Sequence, residues 1–205
     1  MTGTVLRYLS HPQVRVDPGV PVPDWGLNKV GAARVFALVT QLTDSLLAQT
    51  TSVFTSPERK ARDTAAPIAT ALECACTVIN DSYENDRSAT GFLPGAAFEA
   101  MADAFFAEPD RSVRGWERAV DAQARIVAAI ARINAEAPPG DVLVVGHGAV
   151  GTLLFCAQSG QPISRSFDQG PGGGGNIISY ARAGLTPTNG WQPMETLVRV
   201  DSSLS

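Results

Sequence analysis

The sequence is poor in charge, in cysteine, in histidine and in long apolar runs, and each shortage narrows what the chain can be. Charged residues make up 18% of 205 and the formal net charge is −4. There is no basic surface to neutralise a run of nucleic-acid phosphates, and a nucleic-acid partner is not expected. Three cysteines, Cys74, Cys76 and Cys156, are an odd number in a medium-sized chain and do not form the disulfide framework of a small secreted domain. Cys74 and Cys76 stand too close together and too alone for structural zinc and read as buried free thiols, in a reducing compartment. No run of about 20 apolar residues occurs, and Met1 to His11 carries no basic region followed by an apolar stretch and a cleavage site. A cytoplasmic protein without a membrane span is expected. With only two histidines and no His-Glu-x-x-His ligand set, neither a metal nor another cofactor is expected.

What is present is a 44% hydrophobic chain long enough for one sizeable core, read as a single domain over 1–205. Val5 to Leu9 is an apolar strand stopped at Ser10-His11-Pro12. After a proline-rich loop, Asn28 caps a helix running through Val30, Val35, Leu38, Leu42 and Leu46. Ser52 to Thr55 is β-like, and Ser56-Pro57-Glu58 then supplies a cap, a first-turn proline and a first-turn acid for a helix reaching about Leu72. Thr77–Ile79 is a short strand; helical patterns follow at Ala96–Ala107 and Trp116–Ala135. Asp141 to Val145 is a strand that passes through Gly146-His147-Gly148 into a helix over Val150–Ala157. A glycine-dense loop, Gly170 to Asn176, precedes strands at Ile177–Ala181 and Thr196–Val200. This alternation predicts a mainly parallel sheet with helices on both faces, in which sites gather beyond the strands' carboxyl ends.

Both histidines fall just past such an end. One histidine alone is more often structural than catalytic; two in matching topological positions reverse that expectation. Neutral imidazole attacks phosphorus and its cation donates to phosphoryl oxygens. The turn at Gly146-His147-Gly148 leaves backbone N–H groups at a helix start, where an anion is favoured.

On these residues the sequence resembles the histidine phosphatase superfamily, in its phosphoglycerate-mutase-like group. The family's opening Arg-His-Gly reads here Ser10-His11-Pro12. Its Asp-x-Pro-Leu-Thr-x-x-Gly segment resembles Asp24 to Gly31, and its Ser-x-Leu-x-Arg-Ala-x-x-Thr-Ala segment aligns without a gap to Ser56 through Ala65. Its late strand and Ser-His-Gly resemble Val142 through Gly148. The resemblance implies a three-layer α/β/α sandwich of phosphoglycerate-mutase-like form. It also implies a two-step phosphoryl transfer in which His11 attacks phosphorus, His147 braces the phosphoryl group and a middle-loop acid protonates the leaving oxygen. Glu84 matches that acid better than its neighbour Asp86; the subgroup that places an aspartate directly after the second histidine has Gly148 here. Ser10, Lys60 and Gly148 are the implied substrate-binding positions.

The departures lie in the phosphate pocket. Ser10 and Lys60 stand where the family has arginines, whose planar forks hold two oxygens at once, and Pro12 removes a backbone N–H. Arg7, Arg59, Arg62 and Arg87 are candidates to reach in from elsewhere, each read first as an ordinary surface or flanking charge. The glycine loop either cradles an anion or forms a flexible connection, the latter being favoured. The expected activity is a metal-independent phosphatase acting on a small phosphorylated metabolite. The alternative is a weak or inactive member that binds a phosphorylated ligand or a protein. A Ser-His-Asp hydrolase is set aside because the Gly-x-Ser-x-Gly elbow is absent.

Overall fold

The computed structural model describes residues 3–198. Five α-helices and seven strands follow one another along them: β1 (Val5–Ser10), α1 (Lys29–Thr40), β2 (Thr50–Thr55), α2 (Arg59–Ala71), β3 (Cys76–Val78), α3 (Gly95–Ala107), α4 (Ala119–Glu136), β4 (Asp141–Gly146), α5 (Gly148–Gln158), β5 (Asn176–Ala181), β6 (Thr186–Pro187) and β7 (Gln192–Pro193). The sheet order is β3-β2-β4-β1-β5-β6, with β7 also on β5. The first four strands in that order run parallel, and β5, β6 and β7 complete the sheet through antiparallel pairs.

The two-residue period of the strands sorts the core into two faces. Val142 and Val144 of β4, with Leu6 and Tyr8 of β1, pack beneath α4 and α5; Leu143 and Val145, with Leu9, pack against α1 and α2. Both faces are covered, which gives the three-layer α/β/α sandwich. No helix among the described residues is long and apolar enough to cross a membrane.

Several boundaries differ from the sequence pattern, each for a local reason. Helix α1 begins at its Asn28 cap, whose side chain accepts the Gly31 N–H at 2.9 Å, but ends at Thr40 rather than Leu46. Leu42 and Leu47 are both buried, and a spacing of five residues cannot serve one helix face, so the chain tightens into a 3-10 turn at Leu42–Asp44. Helix α2 starts at Arg59 and not at Pro57, because Ser56 and Glu58 are buried in the site described below. Trp116 precedes α4: Arg114 and Gly115 take positive φ, and the Trp116 indole turns inward to donate to Thr90 Oγ1 at 2.8 Å. The expected strand Thr196–Val200 is not one. Met194–Leu197 forms a 3-10 turn and Val198 a single bridge to Ser45; residues 199 and 200 lie outside the described residues. Cys74 and Cys76 are not the buried thiols expected: Cys74 is half-buried and Cys76 exposed, because β3 is the edge strand of the sheet.

Candidate active site

The sheet order brings the two histidines together. Strands β1 and β4 are parallel neighbours with Ser10 opposite Gly146, so the residues that follow them, His11 and His147, leave the sheet side by side. The His11 N–H extends the ladder by donating to Gly146 O at 3.0 Å, and the two rings meet edge to face with centroids 5.3 Å apart. Gly146 is required here, since a Cβ would fall 2.2 Å from the Tyr8 hydroxyl. That hydroxyl accepts the His147 N–H and donates to His147 O, which fixes the backbone of the turn.

His11 is partly buried and its Nδ1 lies 2.8 Å from Pro12 O. A carbonyl only accepts, so Nδ1 carries the proton and Nε2 keeps its lone pair. Burial, with the charges of Lys60 and Arg87 adding to it, lowers the imidazole pKa to about 4, so the ring is neutral in ordinary solution. His147 is fully buried; its Nε2 is 2.7 Å from Ser56 Oγ and 3.6 Å from Glu58 Oε1, and its Nδ1 has no partner among the described residues. Burial holds it well below its ordinary pKa against the opposing pull of Glu58.

Glu84 reaches the same place from the middle loop. Its carboxylate accepts the N–H groups of Ala149 and Val150 at 3.2 and 3.1 Å, in the first turn of α5, directly after His147. Burial raises its pKa, so it holds a proton more readily than an ordinary carboxyl. Asp86 is exposed and turned away: it accepts the Ser88 N–H, which lowers its pKa, and it does not line the cavity.

That cavity, of about 1040 Å³, is lined by His11, Lys60, Glu84, Asn85, Arg87 and Gly148 among others. Ser10 lies behind it, fully buried, its hydroxyl donating to Gln169 Oε1 at 2.6 Å and accepting the Asn176 N–H. Gly148 leaves room for the other end of the same amide, because a Cβ would fall 2.1 Å from Gln169 Nε2. Lys60 is buried, hydrogen-bonded to Val22 O at 2.9 Å and ion-paired with Glu58. Glu58 also accepts the Glu84 N–H at 2.8 Å. Burial would raise Glu58, but His147, Lys60 and the Glu84 N–H outweigh it and hold the carboxyl at about 2.

Glu58, Asn85 and Gln169 were not singled out from the sequence. Only Glu58 left a signal there, a charge where the family motif carries leucine. Of the four arginines considered, Arg7 pairs with Asp141 at the strands' opposite end, Arg59 lies near Asp63, and Arg62 lines a separate surface cleft. Arg87 alone lines this cavity, its guanidinium 5.2 Å from the Phe98 ring and 5.7 Å from that of Trp116. The glycine loop is tied down rather than a free connection. Arg34 donates to Gly174 O and Gly175 O at 2.8 and 3.0 Å, and the Gly175 N–H donates to His11 O. Gly174, at φ +89°, has its Cβ direction 2.1 Å from His11 O, so only glycine fits. Among the described residues no group of three or more His, Cys, Asp or Glu side chains is placed to hold a metal ion.

Residues 19–186 match the family model for the histidine phosphatase superfamily, branch 1; the matched stretch includes His147 and begins after His11. A search among curated protein sequences found no match. Among solved structures, the chain is similar to Bacillus stearothermophilus YhfR (20% identity over 98% of each chain, TM-score 0.74). It is also similar to a mycobacterial glucosyl-3-phosphoglycerate phosphatase in complex with inorganic phosphate (20% identity, 92% of this chain and 94% of that one, TM-score 0.70). A third likeness is to a putative alpha-ribazole-5'-P phosphatase of Escherichia coli (18% identity, 98% and 100%, TM-score 0.68). At these identities the likeness is one of fold.

Proposed function

The chain belongs to the histidine phosphatase superfamily, and from that premise we propose that it hydrolyses the phosphomonoester of a small metabolite through a phosphohistidine, without a metal. One observation carries the proposal: His11 presents a neutral Nε2, its other nitrogen pinned to Pro12 O, beside a cavity that also holds Glu84. Nε2 attacks phosphorus and the ester P–O bond breaks. Protonated Glu84 gives its proton to the leaving oxygen, which its raised pKa favours. The resulting carboxylate then takes a proton from water, the hydroxide attacks the phosphohistidine, the P–N bond breaks, and inorganic phosphate leaves with His11 neutral again. His147, fully buried behind the cavity lining, serves this sequence in the tautomer with its proton on Nδ1: it accepts from Ser56 at Nε2 and keeps an Nδ1 proton, unpartnered among the described residues, to offer a phosphoryl oxygen that reaches in at the His11 side of the cavity wall. The cytoplasmic setting read from the cysteines belongs to the same proposal.

The test is phosphate release from a panel of phosphomonoesters, in chelator, by wild type and His11→Ala. Release by wild type and loss of at least 1000-fold in the variant is expected; equal release by both overturns the mechanism. A second reading, a weakly active member that binds a phosphorylated ligand, is favoured by one contact: the Lys60 ammonium is already neutralised by Glu58. Phosphate binding with no turnover across the panel is its signature.

A further inference from the structure

Both motif positions that supply phosphate-binding cations in the family are unavailable here. Ser10 is a hydroxyl committed to Gln169 and Asn176, and Lys60 is committed to Glu58 and Val22 O. A doubly negative phosphoryl group entering the cavity still needs donors and positive charge. The segment after Glu84 carries both. Asn85 is 4% exposed and lines the cavity, and its Nδ2 has no hydrogen-bond partner among the described residues. A buried amide donor left without an acceptor costs on the order of 1–3 kcal/mol, so an acceptor arriving from the cavity relieves a cost already present. Two residues on, Arg87 lines the same cavity. Its guanidinium makes no hydrogen bond or ion pair with any described residue, and it lies within cation–π distance of the Phe98 and Trp116 rings. Its charge is felt at His11, His147 and Glu84.

We propose that Asn85 and Arg87 form the oxyanion-binding arm of this site, receiving the substrate's phosphoryl oxygens in place of arginines at positions 10 and 60. The proposal rests on the phosphatase reading for its ligand but not on turnover. Attraction to two rings restrains the Arg87 guanidinium at the cavity wall before the anion arrives, as an isolated surface arginine is not restrained. The arm and the acid then share one short loop: Glu84 caps α5 while its neighbours face the phosphate, so leaving-group protonation and phosphoryl binding are set by the same four residues.

Calorimetric titration of the full chain with inorganic phosphate and with orthovanadate tests this. Wild type, His11→Ala, Arg87→Ala, Arg87→Lys, Asn85→Ala and Lys60→Ala are compared, with thermal melting to confirm that each is folded. Arg87→Ala is expected to weaken binding by about 10- to 100-fold, the worth of a charged hydrogen bond. Arg87→Lys should recover part of that loss and Asn85→Ala should cost several-fold. His11→Ala should still bind while losing turnover, which separates failure of the arm from failure of the catalytic reading. Unchanged affinity in Arg87→Ala, a loss confined to Lys60→Ala, or no binding of either anion by wild type overturns the proposal. Arg87→Lys serves as the folded control should the alanine variant lose its cation–π contacts and unfold.

Discussion

Lys60 occupies a position the family motif gives to arginine, yet its charge is directed inward. Its ammonium and the Glu58 carboxylate are both buried and paired, and the same carboxylate holds the Glu84 N–H and faces His147. Removing one partner strands the other in low dielectric, whereas replacing both with apolar residues of similar size is often neutral. Lys60→Met is therefore expected to cost about 3–5 kcal/mol of unfolding free energy by urea denaturation. Glu58→Leu with Lys60→Met together should cost less than Lys60→Met alone. A double variant as unstable as the sum of the two singles would contradict this account. The sequence showed that the pocket had lost its arginines, but not that Lys60 was neutralised. Motif alignment compares each residue with its family counterpart, and the deciding partner was Glu58, two positions away within the motif itself.

At the scale of the element, helix α5 and the Glu84 loop hold each other. The carboxylate meets two free N–H groups at the helix's first turn, where the dipole favours negative charge. Glu84→Gln retains an acceptor oxygen at the helix start but no acidic proton, so kcat is expected to fall at least 100-fold with little change in melting temperature. Glu84→Ala should lose about 1 kcal/mol of stability in addition. A Glu84→Gln protein of full activity would remove this group from the chemistry. The central strands β1, β4 and β5 and the body of α4 were legible because their apolar pattern is uninterrupted: Val142 to Val145 reads as a strand buried on both faces, and is one, whereas the two-residue strands β6 and β7 are too short to leave a pattern. The start of α2 was misread because Ser56-Pro57-Glu58 has the composition of a helix cap while its side chains are used elsewhere, Ser56 on His147 and Glu58 on Lys60. The glycine loop's attachment was invisible because Arg34, which ties it, lies far away in sequence on α1.

For the molecule as a whole, the buried titrating groups give stability a pH dependence of definite sign. His11, lowered from 6.5 to about 4, and His147, lowered well below 6.5, bind protons more weakly folded than unfolded. Their contribution is fully present above pH 6.5 and is lost as pH falls toward 4. Glu84, raised by burial, acts in the opposite sense, favouring the fold at low pH and losing that contribution as pH rises through its folded value. Glu58, held at about 2, keeps its contribution above the ordinary carboxylate range and loses it only toward pH 2. With two histidines against one glutamate, the urea midpoint is expected to drop between pH 6.5 and pH 4, and His11→Asn should flatten that drop. A midpoint constant across this range would show that the histidines are not held neutral by the fold.

The central place of β1 also bears on how the protein is made. The strand that carries His11 pairs with β4 and β5, and the Val5 N–H is bonded to the Asp141 side chain across 136 residues of chain. During synthesis β1 is therefore made long before either of its strand partners, β4 and β5. Gln169 and the loop at Gly170–Gly175, which close around His11 and Ser10, arrive later than β4. A chain cut short before β4 lacks His147 and the apolar residues of β4 on which α1 and α2 pack, so the histidine pair comes together only after β4 has been made.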